Sequence, residues 1–173
     1  TCDRYEQVRS RILIVKLDAM GDVLRTTALL PLIAAAHPGA SITWITRSES
    51  VPLMQNNPFV GEVITYGPDT TVHLLAREFD YLINLDAGKI SAGLAAMARA
   101  TRKDGFVLHP HGYVTPTNDA ARAWLEMGTN DVLKRAGTRA YQDWMKAILG
   151  LSDAPGEHYV LELKPEERRA GKA

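Results

Sequence analysis

The sequence predicts an α/β domain of the Rossmann-like type, a doubly wound parallel sheet with helices on both faces. Short apolar runs alternate with helix-periodic segments along most of the chain, as in strands joined by right-handed crossovers. The first run, residues 12–17, is almost entirely apolar, as a strand covered on both faces requires. A short turn with Gly21 then leads directly into an apolar helical segment. Ligands of such domains bind just beyond the carboxyl ends of the strands, so we expect residues 18–22 to lie near a binding site.

The predicted elements alternate regularly as far as Pro110, after which helices dominate. Strands are predicted at residues 12–17, 41–46, 62–66, 81–85, 103–108 and 159–163. Helices are predicted at residues 22–36, 50–55, 70–77, 90–100, 119–127, 130–134 and 139–149. Pro31 falls inside the first helix and should kink or break it, whereas Pro38 and Gly39 should end it.

The length of 173 residues suits one domain, which we place at residues 11–163, with a helical segment at 115–150. Residues 1–10 form a polar N-terminal extension. Residues 164–173 begin like a helix, with Pro165 followed by two acidic residues, and this helix is cut short. We therefore expect a truncated helix that leads to a further domain.

Composition excludes several classes of function. The 20 basic and 20 acidic residues cancel, which argues against a general nucleic-acid binder because such proteins carry a basic excess. The single Cys2 permits neither an intrachain disulfide nor a cysteine metal site. No apolar run approaches the roughly 20 residues that span a bilayer. We expect a cytoplasmic protein, at most peripheral at the inner face of the cytoplasmic membrane.

The turn Met20-Gly21-Asp22 is the first candidate site. Gly21 would let the backbone approach a ligand, and the helix start would present free N–H groups beside the Asp22 carboxylate. An Asp is also a favoured helix N-cap, so a purely structural role for Asp22 is an equal alternative on the motif alone. The full Gly-x-Gly-x-x-Gly fingerprint is absent, which argues against NAD binding.

Two further polar clusters follow predicted strands. Asp86 comes directly after the fourth strand, at the edge where sites are built, although capping of the helix at 90–100 is the favoured alternative. His109 and His111 follow the fifth strand, but no third metal ligand lies near them in the sequence. A rigid loop, or hydrogen bonding by His109 to a polar substrate, is therefore favoured over a metal site.

Three aromatic residues in the helical segment, Trp124, Tyr141 and Trp144, have helical spacing. This pattern indicates packing in the core or between domains. No Gly-Lys-Ser/Thr phosphate loop occurs, so ATP hydrolysis has no support.

Several motifs occur in a fixed order along nearly the whole chain. They are residues 12–26 with Lys16 and Met20-Gly21-Asp22-Val23, then His37-Pro38-Gly39-Ala40, Ile42-Thr43-Trp44-Ile45, residues 57–64, residues 81–86 with Asp80 before them, and the block 118–142. This ordered set resembles the N-terminal domain of the family 9 glycosyltransferases, the ADP-heptose:lipopolysaccharide heptosyltransferases.

The resemblance implies a GT-B enzyme with two Rossmann-like domains, of which the N-terminal one holds the acceptor and the C-terminal one the ADP-sugar. The family's proposed catalytic base is the Asp of the Gly-Asp turn, which corresponds to Asp22. Lys16 matches a family lysine near the cleft, and Asp18 stands where relatives often have Ser or Thr. The donor domain does not occur in these residues, so we expect no turnover from this chain alone.

The implied reaction transfers heptose from ADP-heptose, with inversion, to a hydroxyl of an acidic glycolipid, the lipopolysaccharide core. Neither a metal nor another cofactor is required. The candidate substrate-binding residues are Lys16, Asp18, Gly21, Arg25, Arg47, Asp86, Lys103 and His109. Two alternatives remain: a non-catalytic binding or assembly module with the same fold, and a flavodoxin-like nucleotide or flavin domain, which has no phosphate-loop signature here.

Overall fold

A six-stranded sheet forms the centre of the described part of the computed structural model, which comprises residues 8–151, 158–163 and 169. The strands are Ser10–Val15 (β1), Ala40–Thr46 (β2), Glu62–Thr65 (β3), Glu78–Asn84 (β4), Arg99–Leu108 (β5) and Val114–Pro116 (β6). Their order across the sheet is β3-β2-β1-β4-β5-β6, with β1 to β5 parallel and β6 antiparallel at one edge. The predicted Rossmann-like α/β fold is confirmed.

Helices cover both faces of this sheet. They are Met20–Thr26 (α1), Leu30–Ala36 (α2), Val51–Met54 (α3), Thr70–Ala76 (α4), Lys89–Met97 (α5), Asp119–Thr129 (α6), Asp131–Ala136 (α7) and Tyr141–Leu149 (α8). A 3₁₀ turn at Thr27–Leu29 separates α1 from α2, and Pro31 lies in the first turn of α2. The predicted break near Pro31 is thus confirmed. None of the described helices is long and apolar enough to cross a bilayer.

The alternating side chains of β1 explain why residues 12–15 of this strand are all apolar. Ile12 and Ile14 point into one buried cluster, shared with residues of α1, α2, α6 and α8. Leu13 and Val15 point into the second cluster, on the opposite face, with residues of α4 and α5. Both faces of β1 are therefore removed from water, which is the requirement that predicted a central parallel strand.

One predicted strand was wrong, and one predicted helix ends earlier than expected. The sixth strand is Val114–Pro116, which forms a hairpin with β5, and residues 159–163 form no strand. Val160 is instead held through its backbone, whose N–H donates to the Thr27 hydroxyl at 3.0 Å and whose carbonyl accepts from the Asn57 amide at 3.2 Å. The helix predicted at 90–100 ends at Met97, because Arg99 already pairs with β4 as the first residue of β5.

The domain boundaries fall partly outside the described residues. Of the predicted N-terminal extension, residues 1–7 are not described, and Ser10 already belongs to β1. The predicted truncated helix at 164–173 lies outside the described residues except for position 169. The predicted helical segment at 115–150 contains α6, α7 and α8, but it opens inside β6.

The strand order reverses at one point in the sheet, between β1 and β4. From β1 the chain runs outward through β2 and β3, then crosses back so that β4 pairs with the other side of β1. In open α/β sheets, the crevice beyond the carboxyl ends of two such strands is the usual ligand site. The ends of β1 and β4 meet here, where Val15 pairs with Asn84. The loops that follow these two strands therefore border the candidate ligand site.

Candidate functional site

A cavity of about 390 Å³ opens at the carboxyl edge of the sheet, beside the ends of β1 and β4. One wall comes from the loop after β1 and from α1, and the other from the segment α6 to α8. The lining residues are Lys16, Asp18, Asp22, Arg25, Leu85, Ala87, Trp124, Met127, Lys134, Gly137, Arg139, Tyr141 and Trp144. The volume lies within the range of small-molecule sites, roughly 300–1,000 Å³.

The floor of this cavity is a buried ion pair. The Lys16 ammonium donates to the Asp86 carboxylate, and both side chains are almost fully buried. Asp18, which is half exposed, accepts from the same ammonium at 3.2 Å. Burial alone would lower the pKa of Lys16, but the charge of Asp86, its hydrogen bond and the further charges of Tyr141 and Asp18 together outweigh burial, so that the pKa lies above its usual value. Lys16 therefore remains a cation at the base of the cleft.

Asp86 fixes the backbone of the loop after β1. Its Oδ2 accepts from the backbone N–H of Leu17 at 2.5 Å and of Asp18 at 3.1 Å. Burial raises the pKa of Asp86, while the Lys16 ammonium acts in the opposite direction. The pKa of Asp18 is lowered despite its partial burial, through its contacts with Asp86 and Lys16. Asp86 does not cap α5, whose N-cap is Gly88, so the capping alternative for this residue was wrong.

Asp22 lies in the first turn of α1 and faces the cleft. The N-cap of α1 is Ala19, which makes Asp22 the third helical residue, and the capping alternative was wrong here too. The Asp22 side chain is 31% exposed, and its Oδ1 accepts from the guanidinium of Arg25. This hydrogen bond raises the pKa of Arg25.

The opposite wall consists of aromatic rings against which arginine guanidinium groups stack. The Arg25 guanidinium lies 4.2 Å from the centre of the Tyr141 ring, and that of Arg139 lies 4.4 Å from the centre of the Trp144 ring. Trp124 contacts both rings, at centroid distances of 5.8 Å to Tyr141 and 5.9 Å to Trp144. These rings also pack against the larger core cluster. The predicted core packing is therefore one half of their role, and the other half is to line the cleft.

The structure brings together four of the predicted site residues, Lys16, Asp18, Asp22 and Arg25, around one cavity. Gly21 is exposed beside them, and a Cβ at that position would meet nothing within 4 Å. Asp86 lies beneath the cavity and acts through Lys16 and the backbone. Sequence reasoning placed these residues correctly at the ends of β1 and β4, since that edge follows from strand order.

Three predicted residues lie elsewhere. The Arg47 Nε donates to the carbonyl of Leu17 at 2.7 Å, so this side chain supports the loop after β1 without lining the cavity. The Lys103 ammonium donates to the carbonyls of Ala95 and Ala96, at the C-terminal end of α5. Burial lowers the pKa of Lys103. None of these contacts faces the cavity.

His109 is the third. Its ring stacks on Tyr113, with centroids 4.4 Å apart, within the β5–β6 hairpin. The neighbouring His111 ring lies 5.0 Å away. Within residues 8–151, 158–163 and 169, no group of three His, Cys, Asp or Glu side chains is arranged to hold a metal ion.

Comparison with solved structures gives a consistent result. The chain superimposes on a glycosyl transferase of family 9 from Veillonella parvula with a TM-score of 0.69 and 20% identity, over 97% of this chain and 49% of that one. The chain has the fold of half of a family 9 glycosyltransferase. The resemblance predicted from the sequence is confirmed at the level of the fold. No family model matches the chain, and no curated protein does.

Heptosyltransferase WaaC of E. coli shows the same fold. The complex with ADP matches with a TM-score of 0.57 and 19% identity, over 86% of this chain and 48% of WaaC. The complex with ADP-2-deoxy-2-fluoro heptose matches with a TM-score of 0.53 and 19% identity, over 85% of this chain and 50% of WaaC. The chain thus spans about half the length of the glycosyltransferases that it matches.

Sequence reasoning missed the lining residues of the segment α6 to α8. Lys134, Arg139 and Tyr141 are separated from Asp22 by more than a hundred residues of chain, and only the fold brings them to the same cavity. A usable signal was present, because Arg139, Tyr141 and Trp144 combine aromatic rings with a cation at the start of one amphipathic helix. A helix that only packs in the core has no need of that cation.

A second cavity, of about 580 Å³, lies at the opposite edge of the sheet. Four of its charged residues are joined in two pairs. Arg77 binds Glu62 with both terminal guanidinium nitrogens, and Arg99 pairs with Glu78. This edge carries the amino ends of the parallel strands, where α/β domains do not build their sites.

Proposed function

We propose that this chain is the N-terminal, acceptor-binding domain of an inverting GT-B glycosyltransferase that transfers heptose from ADP-heptose to the lipopolysaccharide core. The observation that carries the proposal is the position of Asp22. This partly exposed carboxylate lies in the first turn of the helix after β1 and lines the cleft at the strand switch point. The shared fold with family 9 glycosyltransferases supports the reaction class.

Asp22 would act as the general base. As the acceptor oxygen attacks the anomeric carbon, its proton passes to Asp22, and the bond from that carbon to the diphosphate breaks with inversion. ADP leaves with the bonding electron pair. Arg25 binds Oδ1 of Asp22, whereas Oδ2 has no hydrogen-bond partner among the described residues. One carboxylate oxygen is thus held by the protein, and the other is available to the acceptor hydroxyl.

Lys16 and Asp18 would contact the acceptor on the floor of the cleft. Asp86 holds the Lys16 ammonium and the loop backbone in place, so the floor is rigid before substrate arrives. Gly21 leaves open space beside Asp22, through which a sugar can approach the helix start. Preorganised groups of this kind lower the barrier because they need no rearrangement during the reaction.

The donor would bind to a C-terminal domain outside this chain. The WaaC structures hold ADP and ADP-2-deoxy-2-fluoro heptose, which supports an ADP-sugar as donor here. Because the acceptor is a glycolipid, we place the protein in the cytoplasm, in peripheral contact with the inner face of the membrane. Neither a metal nor a nucleic acid takes part in the proposed reaction.

The test is transfer by the protein that contains this chain and its donor domain, measured as ADP release with ADP-heptose and lipopolysaccharide core. Asp22→Asn should lower kcat by about 100- to 10,000-fold, the usual contribution of a general base. Asp119→Asn is the matched control, because Asp119 also stands in a first helical turn and pairs with an arginine three residues later. Unchanged transfer by Asp22→Asn would refute the role of Asp22.

The 173-residue chain alone should bind acceptor without releasing ADP. Binding of the lipopolysaccharide core to the isolated chain, measured by calorimetry, tests the acceptor side separately. Turnover by the isolated chain would show that no donor domain is needed. Acceptor binding without transfer in any longer protein would favour the alternative of a non-catalytic binding or assembly module.

A further inference from the structure

The charges that line the cleft do not balance. Four cations face the cavity, and two of them have carboxylate partners: Lys16 pairs with Asp86 and Asp18, and Arg25 pairs with Asp22. The other two cations are Lys134 and Arg139. Within the part of the chain that the structure describes, no carboxylate lies within 4 Å of either, so two positive charges in the cavity have no counter-ion.

Arg139 is held in place by uncharged groups, so its positive charge is not neutralised by these contacts. One guanidinium nitrogen donates to the backbone carbonyl of Asp143 at 2.8 Å, and the planar group lies over the Trp144 ring. The Asp143 carboxylate is engaged with Lys146 at 3.4 Å. An arginine that rests on an aromatic face keeps several N–H groups at its edge for an oxyanion. Arg139 is therefore oriented before any ligand binds.

Lys134 approaches the same cavity from α7. No residue of this helix is buried, so α7 contributes nothing to the core that would explain its position. Gly137, which lies between Lys134 and Arg139 in the sequence, also lines the cavity. A Cβ at Gly137 would lie 3.3 Å from the carbonyl of Leu133, so a glycine lets the loop close tightly onto the end of α7.

We propose that Arg139 and Lys134 form an oxyanion subsite that takes the carboxylate or phosphate group of a sugar. A cavity of about 390 Å³ has room for one sugar ring, with its anionic group toward these cations and a hydroxyl toward Asp22. The identification of this sugar as the acceptor rests on the proposed function. The subsite itself is a binding property, and it is testable without any transfer reaction.

Tryptophan fluorescence of the 173-residue chain provides a direct readout. Two of the three tryptophans, Trp124 and Trp144, line the cavity, whereas Trp44 is fully buried in the core. Glucuronate and glucose 1-phosphate should each change the emission saturably, and neutral glucose should not. Arg139→Gln and Lys134→Gln should each weaken binding of both anionic sugars by about tenfold, the usual effect of losing one charge-assisted hydrogen bond.

Arg122→Gln is the matched control, since Arg122 is an exposed cation on α6 that does not line the cavity. It should leave the affinity unchanged. Lys134→Gln should fold normally, because α7 has no buried residue that the substitution would disturb. A loss of binding in this variant therefore cannot be attributed to misfolding. Unchanged affinity in Lys134→Gln and Arg139→Gln, or the same affinity for glucose as for glucuronate, would overturn the proposal.

ADP serves as the third probe. If ADP binds more tightly than both anionic sugars, and the two substitutions weaken it as strongly, the subsite belongs to the donor diphosphate and the acceptor assignment is wrong. Loss of anionic-sugar binding in Arg139→Gln with retained activity of Asp22→Asn would refute the base while leaving the subsite intact. The two proposals therefore fail separately.

Discussion

Lys16 and Asp86 form a buried ion pair that joins the loops after β1 and β4, the two strands between which the strand order reverses. The two residues are 70 positions apart. Asp86 also accepts from the backbone N–H groups of Leu17 and Asp18, so one carboxylate satisfies three donors at the floor of the cleft. The charge in the site and the conformation of the site loop thus depend on the same side chain.

Removal of either partner of this pair should destabilise the fold strongly. Asp86→Asn keeps acceptor capacity for the backbone but leaves the buried ammonium with the half-exposed Asp18 as its only carboxylate partner among the described residues, and Lys16→Met leaves the buried Asp86 carboxylate uncompensated. Each should lower the free energy of unfolding by about 3–5 kcal/mol. The double variant should cost less than the sum of the two, because no isolated charge remains.

Urea unfolding of the 173-residue chain measures these changes. Lys89→Met is the control, since Lys89 is exposed at the start of α5 and should shift the unfolding free energy by less than about 0.5 kcal/mol. Additive effects of Lys16→Met and Asp86→Asn would contradict a direct coupling between the two charges.

Tyr141 should support the conformation of Asp22. Its ring carries the Arg25 guanidinium, and its hydroxyl lies 3.3 Å from the hydroxyl of Thr26, which in turn donates to the carbonyl of Asp22. Tyr141→Leu removes the ring beneath Arg25 and should lower kcat of the proposed transfer by about tenfold, in line with a cation–π contact of roughly 1–2 kcal/mol. Tyr141→Phe keeps the ring and should lose less.

The transfer assay should separate this positioning effect from a loss of folding. KM should change little in Tyr141→Leu if the effect reaches Asp22 alone, and Tyr141→Phe should recover most of kcat. Tyr113→Leu, at the exposed tip of the β5–β6 hairpin, is the control and should retain full activity. Equal kcat in wild type and Tyr141→Leu would exclude the role proposed for the ring.

The location of the candidate site was predictable because it depends on local pattern and on topology. A strand, a Gly-containing turn and a helix occupy successive residues, and the edge at which parallel strands end is set by the fold class. The sequence therefore placed Asp18, Asp22 and Asp86 at one edge of the sheet. It did not distinguish an N-cap from a cleft-lining carboxylate at Asp22, because that depends on whether the N-cap of α1 is Ala19 or the residue three positions later.

The parts that escaped prediction depend on contacts distant in sequence. Asp86 is recognisable as a buried ion-pair partner only once Lys16 lies beside it. The strand β6 has three residues and ends in Pro116, so it shows neither alternation nor a suitable composition, and pairing with β5 alone defines it. Tyr141 and Trp144 have the spacing of core residues, and they are half-buried because the cleft reaches their outer faces.

Gly105 should tolerate no side chain. It lies within β5 with a φ of +107°, and a Cβ there would lie 1.8 Å from the carbonyl oxygen of Asn84. Gly105→Ala combines backbone strain with a clash against the neighbouring strand, and should cost about 3 kcal/mol or more of unfolding free energy. Gly128→Ala on α6 meets nothing within 4 Å and should be neutral or stabilising in the same urea assay. A stable Gly105→Ala chain would contradict the pairing of β4 with β5.

The pair of Glu62 and Arg77 should make stability depend on pH in the acidic range. Two hydrogen bonds from the Arg77 guanidinium lower the pKa of the Glu62 carboxyl below its ordinary value of 4.5. A lowered folded-state pKa means that the unfolded chain binds the proton first. The stabilisation is therefore complete above about pH 4.5, and it is lost as the pH falls through the lower folded-state value.

This effect should be small, since both side chains are about two-fifths exposed, and we expect less than about 1 kcal/mol. Urea midpoints measured from pH 6 to pH 3 should fall more steeply for the wild type than for Glu62→Gln, because glutamine has no proton to take up. Glu78→Gln is the matched control, because the Glu78 carboxylate pairs with Arg99 but is more exposed than that of Glu62. This variant should keep the wild-type dependence of the urea midpoint on pH. Parallel curves for the wild type and Glu62→Gln would show that Arg77 does not stabilise the charged form of Glu62 in the folded chain.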